Sequence, residues 1–265
     1  MSTLRWGLSL SLAGDLAQPA LIAEVAASAE AAGWDGVYVW DHLWNRTGEP
    51  FADSWVTLAA VAIATKRVRL GPLVTPLPRR RSQVVAQQAA TLDRLSQGRL
   101  TLGVGLGHDK YGEYSAFGEP LTDPNSRAVA LDRGLELLTT ALTGGPVPSA
   151  GERHTTVACV QRPRCPIWVA ATVPRSAGPR RAARHCVEGV AAVGVEEWTP
   201  DHVTDILAAG DFGAGAIDIA LVGGTHPEAA ALAEAGATWG VAEVMPGASA
   251  AEALARASTP PTDVV

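Results

Sequence analysis

An aspartate, a histidine and a tryptophan stand close together where a run of β-branched and aromatic residues ends. This run, residues 34–40, is predicted to form a strand, and Asp41, His42 and Trp44 follow it directly. Together they supply a carboxylate, an imidazole that titrates near neutral pH and a flat aromatic surface. Such a group could exchange a proton with a ligand that lies against the indole. Alternatively, Asp41 caps a loop and His42 has a structural role.

Three consecutive arginines precede a predicted helix. Arg79, Arg80 and Arg81 stand at the end of the helix where the backbone dipole favours anions and disfavours cations. Runs of this kind usually form an exposed, solvated basic surface. The alternative is that one or two of these side chains bind an anionic ligand.

Two further segments could hold a flat ligand. The small residues of Gly103–Gly107 would let a ligand approach the backbone, although His108 follows where a GxGxxG dinucleotide fingerprint needs glycine. The alternative for this segment is close packing inside the fold. Pro72 and Pro76 lie in a predicted strand, where proline is tolerated at a bulge or at the strand's end. A distorted backbone there would offer a second platform for a ligand.

The composition favours a globular protein that acts on small molecules. The chain has 265 residues, of which 47% are hydrophobic and 18% charged, and its net charge is −6. This acidic balance gives no basic field, so we expect neither a nucleic-acid nor a membrane partner. Cys159, Cys165 and Cys186 are too few and too irregularly spaced for a disulfide framework or a metal site. Because no targeting or membrane-spanning segment is evident, the expected location is the cytoplasm.

Short apolar runs alternate with alanine-rich amphipathic segments along the whole chain. The predicted strands are residues 4–12, 34–40, 68–75, 99–107, 167–172, 189–194, 217–223 and 237–244. The predicted helices are residues 19–32, 54–65, 82–96, 126–142, 177–184, 200–209, 227–235 and 248–257. Eight alternating units predict a single α/β domain over residues 1–265, a (β/α)8 TIM barrel, with an insertion at about 108–125 and a loop or hairpin at about 146–165. In such a barrel, the chemically active groups meet at the carboxyl ends of the strands.

A set of short motifs occurs in a specific order between residues 33 and 120. It comprises GWDG at 33–36, DH at 41–42, VRLG at 68–71, PLPRRR at 76–81, ATLDRLS at 90–96, GRL at 98–100, GVG at 103–105 and FGE at 117–119. Looser matches follow at 166–170, 180–184 and 235–239. This pattern resembles the bacterial luciferase-like family of flavin- or F420-dependent oxidoreductases.

The resemblance implies a fold, a cofactor and an activity. Members of this family are (β/α)8 barrels that hold FMN or the deazaflavin F420 at the carboxyl ends of the strands. It implies an oxidoreductase or monooxygenase that acts on a small organic substrate, forms a homodimer and receives its reduced cofactor from a separate reductase. Reduced FMN supports oxygenation and reduced F420 donates hydride, and the sequence does not separate the two. A non-prolyl cis peptide is implied at Leu73–Val74.

The resemblance also implies roles for individual residues. The catalytic positions are Asp41, His42 and His108, the last of which stands where some relatives have a glutamate proposed as a proton donor. The cofactor-binding positions are Leu73, Val74, Thr75, Gly105, Gly107, Thr172, Arg175, Ser176 and Gly194. The substrate-binding positions are Trp44, Tyr111 and Tyr114, with Glu113 in the same insertion. The bulk of Leu73, where relatives often have serine or alanine, favours an alternative: a non-catalytic barrel that binds a flavin or another ligand.

Overall fold

The strands and helices alternate in the order that the sequence predicts. The computed structural model describes residues 3–44, 48–148, 153–155, 157–212 and 216–261. The strands are β1 (Arg5–Leu10), β2 (Gly36–Val39), β3 (Arg69–Pro72), β4 (Thr75–Pro76), β5 (Leu102–Gly105), β6 (Pro146–Pro148), β7 (Arg153–Thr155), β8 (Ile167–Thr172), β9 (Gly189–Val193), β10 (Asp218–Val222) and β11 (Trp239–Val244). The helices are α1 (Pro19–Ala32), α2 (Ser54–Ala64), α3 (Ser82–Leu95), α4 (Pro124–Ala141), α5 (Ala177–Arg184), α6 (Pro200–Gly210), α7 (Ala229–Glu234) and α8 (Ala250–Ser258).

The parallel strands close into a barrel. Neighbouring strands follow the order β3-β2-β1-β11-β10-β9-β8-β5-β4, and β3 and β4 are two halves of one barrel strand. β3 pairs with β2 and β4 pairs with β5, so the divided strand joins the two ends of the sheet. The amide of Thr101 also donates to the carbonyl of Leu70 across this junction. Within the described residues, the chain therefore forms the predicted (β/α)8 barrel.

The division of this strand lies where its prolines predict a bulge. Pro72 ends β3, Pro76 ends β4, and the peptide bond between Leu73 and Val74 is cis, as the resemblance implied. Before the bulge, β3 approaches the next strand so closely that a Cβ atom on Gly71 would lie 1.8 Å from the carbonyl oxygen of Thr101. Glycine is required there because no side chain fits between the two backbones.

The barrel interior is filled at one end and open at the other. Tyr38, Trp168 and Trp239 are fully buried inside the barrel, with ring centroids 5.7–6.0 Å apart. Toward the carboxyl ends of the strands, the inward positions are small, as at Ala170 and Ala191. The large rings therefore close the amino-terminal end, and the small residues leave space at the opposite mouth.

The two predicted irregular regions differ in structure. β6 and β7 form a short antiparallel hairpin in the region where a loop or hairpin is predicted. The insertion that follows β5 contains a 3₁₀ turn, Ser115–Phe117, and otherwise runs as loop across the mouth. In the described part of the chain, no helix has the length and apolarity that crossing a membrane requires.

Candidate active site

A cleft of about 520 Å³ opens at the carboxyl ends of the barrel strands. Its walls come from the segment after β2, the bulge between β3 and β4, the insertion after β5, and the ends of β8 and β11. Predicted site residues that line it are Asp41, His42, Trp44, Leu73, Val74, Gly105, Gly107, His108, Tyr111 and Thr172. The structure thus brings predicted site residues from four separate segments of the chain to one place.

Asp41 is held by two arginines. Its buried carboxylate accepts hydrogen bonds from Arg80 Nη2 at 2.6 Å and Nε at 2.8 Å, from Arg79 Nη2 at 3.0 Å and from Thr75 Oγ1 at 2.8 Å. Arg79 also donates to the main-chain carbonyl of Asp41 at 2.7 Å. The lone pairs of this carboxylate are therefore occupied by the protein itself. Thr75 is fully buried beside Asp41 and lies behind the cleft surface.

Glu113 connects the same arginine to His42. Its Oε1 atom accepts from Arg79 Nη1 at 2.6 Å and from the amide of Leu43 at 2.7 Å, and its Oε2 atom lies 3.1 Å from His42 Nδ1. Glu113 is expected among the substrate-recognition residues of the insertion, and in the structure its carboxylate contacts Arg79 and His42. We call Asp41, Arg79, Arg80 and Glu113 the ion-pair network.

The structure contradicts the expectation of an exposed basic surface for two of the three arginines. Arg79 and Arg80 turn inward, with side-chain exposures of 6% and 21%. They pair with the carboxylates of Asp41 and Glu113. Arg81 alone of the three is exposed.

The ion-pair network orients the imidazole of His42. Burial raises the pKa of Glu113, but the hydrogen bonds from His42 and Leu43 and the charge of Arg79 outweigh burial and bring this pKa below its ordinary value. Because an ionised carboxylate only accepts hydrogen bonds, His42 Nδ1 must be the donor. Its Nε2 atom is then the nitrogen available to a ligand in the cleft. The ring is flanked by Trp40 and Phe51, with centroids 6.0 and 6.1 Å away.

His108 stands beside His42 at the rim of the cleft. Its ring centroid lies 5.7 Å from that of His42 and 5.3 Å from that of Tyr111. Partial burial lowers the pKa of His108, and the nearby His42 lowers it further. His108 is therefore a neutral imidazole at pH 7, able to donate through one nitrogen and accept through the other.

The predicted substrate-binding residues separate into two groups. Trp44 Nε1 donates to the carbonyl of Tyr111 at 2.6 Å, and the Trp44 ring packs on Phe117 with centroids 4.7 Å apart. Trp44 and Tyr111 therefore form one aromatic wall of the cleft. Tyr114 lies behind it, where its hydroxyl donates to the carbonyl of Leu106 and burial raises its pKa to about 12.

The floor of the cleft is apolar and formed largely by the bulge. Leu73 is 7% exposed and packs toward Gly103, as part of the cluster that contains the buried rings of the barrel interior. At Gly105, a Cβ atom would lie 2.8 Å from Val74 and 3.2 Å from Ala170. The absence of a side chain at Gly105 keeps this floor open to a flat ligand.

Four of the predicted cofactor-binding residues lie at the end of β8 or in the segments that follow β8 and β9. Thr172 ends β8 and lines the cleft, and Gly194 is adjacent to it, with a φ of +95°. Arg175 is exposed in the loop between β8 and α5, and Ser176 occupies the position that caps the α5 amino terminus. The lining of the cleft includes Thr172 but not Arg175, Ser176 or Gly194, which are neighbours of Thr172 along the chain or in space.

Glu243 is a cleft residue that the sequence analysis missed. It lies on the inner face of β11, paired in register with Ser9 of β1, and it makes a hydrogen bond with Trp40. Burial raises the pKa of Glu243, and the hydrogen bond with Trp40 counters this only in part. The alternation of Trp239, Val241 and Glu243 along one strand face could have placed this carboxyl group at the mouth.

The comparisons with known proteins agree with this architecture. The family model for luciferase-like monooxygenases matches residues 7–259. The chain is 38% identical to the F420-dependent glucose-6-phosphate dehydrogenase of Beutenbergia cavernae over 155 residues, which are 55% of this chain and 45% of that protein. It is 34% identical to the enzyme of the same name from Gordonia bronchialis over 187 residues, 66% of this chain and 54% of that protein. The chain thus spans about half the length of these relatives.

Two solved structures share the fold. Monooxygenase RslO1 from Streptomyces bottropensis superposes with a TM-score of 0.73 at 18% identity, covering 96% of each chain. An F420-dependent secondary alcohol dehydrogenase in complex with an F420-acetone adduct superposes with a TM-score of 0.66 at 21% identity, over 84% of this chain and 69% of that one. At these identities, the likeness is one of fold.

Replacing Arg79 with methionine tests the ion-pair network. Arg79→Met leaves the buried Glu113 without a guanidinium partner, and we expect a loss of about 3–5 kcal/mol in the free energy of unfolding. The measurement is chemical denaturation followed by circular dichroism. The matched control is Arg81→Met, two positions away and exposed, for which we expect a change within about 0.5 kcal/mol. Equal changes in the free energy of unfolding for the two variants would contradict a stabilising role for the Arg79 ion pairs.

The low pKa of Glu113 predicts a dependence of stability on pH. A carboxyl group whose pKa falls on folding stabilises the fold above its ordinary pKa, about 4.5, and loses this contribution as the pH falls further. We therefore expect the stability difference between the wild type and Glu113→Gln to be largest near neutral pH and to shrink below pH 4.5. Denaturation at several pH values measures it, with the exposed Glu119→Gln as control. A difference that stays constant or grows in acid would contradict the assignment.

Proposed function

Because the chain belongs to the luciferase-like monooxygenase family, we propose that it is an F420-dependent oxidoreductase that acts on a small organic substrate. The observation that carries this proposal is the oriented imidazole of His42 in the wall of an apolar cleft at the barrel mouth. The curated relatives, whose names give F420 as their cofactor, favour the deazaflavin. The second candidate is a flavin-dependent monooxygenase using FMN; the monooxygenase activity in the name of RslO1, which shares the fold over nearly the full length of both chains, favours oxygenation.

The cleft fits a flat redox ring. Its volume of about 520 Å³ lies within the range of pockets that hold small ligands, roughly 300–1,000 Å³. The bulge and Gly105 would form the surface on which the ring lies. Leu73 lines the cleft but is 7% exposed and packs toward the barrel interior. This packing supports an enzyme over the alternative of a non-catalytic barrel.

The edge of the cleft beside β8 suits the anionic tail of either cofactor. We assign Thr172, Arg175, Ser176 and Gly194 to this tail. The exposed guanidinium of Arg175 would supply a charge-assisted contact, and the amide groups at the start of α5 would add hydrogen bonds. The ring would then extend from this edge across the floor toward His42.

The bound cofactor would supply the hydride chemistry, and the residues of the chain would position the substrate and manage the proton. His42 is the catalytic candidate, because it lines the cleft and Glu113 holds its Nδ1 atom, which leaves its Nε2 atom without a protein partner among the described hydrogen bonds. His108 offers a second neutral imidazole beside it. We assign Asp41 a positioning role, since its carboxylate is occupied by Arg79 and Arg80. Trp44 and Tyr111 would cover the substrate and limit access of water.

The dimer and the partner reductase also remain proposals. Helices α2 and α3 expose the apolar residues Val56, Ile63, Val84 and Leu95 on one face. A second copy of the chain could cover this face. The exposed apolar residues therefore favour a homodimer that forms through α2 and α3. A separate enzyme would supply the reduced cofactor, and the cytoplasm remains the expected location.

A titration with each cofactor tests the proposal. We expect purified protein to quench the fluorescence of F420 at micromolar concentration and to bind FMN more weakly. Arg175→Ala should weaken F420 binding by about tenfold through loss of one charge-assisted contact, while the exposed Arg81→Ala should leave it unchanged. Tighter binding of FMN would favour the monooxygenase. If neither cofactor binds, the proposed function is wrong.

A rate measurement on a His42 variant then separates cofactor binding from turnover. With the fastest substrate found among simple alcohols and ketones, we expect His42→Gln to bind F420 as the wild type does but to react at least about a hundredfold more slowly, as for loss of a general acid or base. Stopped-flow absorbance of the cofactor measures the rate. An unchanged rate would remove the catalytic role of His42.

A further inference from the structure

The charged groups of the cleft are unevenly distributed. Among the described residues that line it, three carry carboxyl groups, Asp41, Glu113 and Glu243, and none is a lysine or an arginine. The nearest guanidinium groups, those of Arg79 and Arg80, lie behind the wall and donate to Asp41 and Glu113. Among the described lining residues, Glu243 is therefore the acid outside the ion-pair network, and there is no lysine or arginine.

The network arginines are not free to meet an incoming anion. To reach a ligand, Arg79 would have to give up its hydrogen bonds to two buried carboxylates, each 2% exposed, and leave that of Glu113 without a guanidinium partner. Such a change is strongly unfavourable, because an unpaired charge inside a protein loses its hydration without compensation. Arg80 is likewise bound to Asp41 through two nitrogen atoms. The ion-pair network is thus electrically balanced and closed to the cleft.

Other described cations near the mouth are also engaged elsewhere. The ammonium group of Lys110 lies over the ring of Tyr111, 5.4 Å from the ring centroid. The guanidinium of Arg127 donates to a carbonyl in the loop before α4 and lies over Tyr114, behind the aromatic wall. Arg175 stands at the edge that we assign to the cofactor tail. None of these lies on the lining of the cleft.

The remaining lining is mainly aromatic and aliphatic. Five apolar or aromatic side chains line the cleft together with His42 and Glu243: those of Trp40, Phe51, Val193, Val222 and Met245. Side chains in the lining that can form hydrogen bonds with a ligand are fewer and include His42, Glu243, His108, Tyr111 and Thr172. An apolar lining with a few polar groups binds a molecule that is itself mainly apolar and has a polar atom at one point.

We infer that the substrate is an uncharged, largely apolar molecule with a single hydrogen-bonding oxygen, and that phosphorylated sugars are excluded. This inference rests on the proposed function and sets the chain apart from its curated relatives, whose names specify glucose 6-phosphate. A phosphate dianion in this cleft would lose its hydration and meet Glu243, and the described lining offers it no guanidinium or ammonium group to replace the water. An alcohol or ketone with an aliphatic body would fill the same space without that cost.

Calorimetric titration with three small molecules tests the inference. The ligands are cyclohexanol, glucose and glucose 6-phosphate, each added to the protein with and without F420. We expect cyclohexanol to bind at least about tenfold more tightly than either sugar, with an affinity that is unchanged between about 50 and 500 mM NaCl. Binding of glucose 6-phosphate as tight as that of cyclohexanol would overturn the inference. So would the absence of cyclohexanol binding to the F420-loaded protein.

A charge reversal in the cleft provides the internal test. We expect Glu243→Lys to gain at least about tenfold in affinity for glucose 6-phosphate, since it places a cation on the lining. The control Glu234→Lys makes the same change on the exposed surface of α7 and should leave this affinity unchanged. If Glu243→Lys does not fold, Glu243→Gln serves, with a smaller gain in the same direction. No gain in a folded variant would contradict the electrostatic exclusion.

The inferred substrate class and the proposed function can be disproved separately. Protein that binds F420 but prefers glucose 6-phosphate to cyclohexanol overturns the substrate class and leaves the proposed function intact. Protein that binds neither F420 nor FMN overturns the proposed function. In that case, the titrations without cofactor still decide whether the cleft excludes the phosphorylated sugar.

Discussion

Two carboxylates and two guanidinium groups, packed together at the barrel mouth, form the interaction on which the site depends. Asp41 follows β2, Glu113 belongs to the insertion after β5, and Arg79 and Arg80 lie between the bulge and α3. A buried charge is costly unless an opposite charge and further hydrogen bonds compensate it, so each of these residues requires the others. This mutual requirement joins three separate loops into one wall, and His42 takes its orientation from that wall.

The chemistry of the cleft follows from how the ion-pair network uses its charges. Asp41 and Glu113 are neutralised within the protein, whereas Glu243 has burial and a hydrogen bond with Trp40 but no cation. Nearby carboxyl groups in different surroundings take different protonation states, which allows one site to hold both an acid and a base. In this chain, the network supports an imidazole on one side and leaves a neutralisable carboxyl group on the other. An apolar space lies between them.

Local sequence predicted the barrel because its signals are local. Alternation of strands and helices follows from hydrophobic periodicity, and the bulge follows from two prolines in a strand that must pair on both sides. The contact between His42 and Glu113 joins residues 71 positions apart, and no spacing rule reaches that far. Likewise, the inward turn of Arg79 and Arg80 depends on carboxylates from other segments. Glu243 is the exception, since strand alternation alone could have placed it on the inner face.

The tautomer of His42 reports whether the ion-pair network orients this ring. Long-range proton–nitrogen NMR on protein labelled with ¹⁵N-histidine resolves the six histidines of the chain, and the spectrum of His42→Gln assigns the signal. We expect a proton on Nδ1 at every pH between about 6 and 8, whether or not Nε2 also carries a proton. A neutral His42 with its proton on Nε2 and a bare Nδ1 would contradict it.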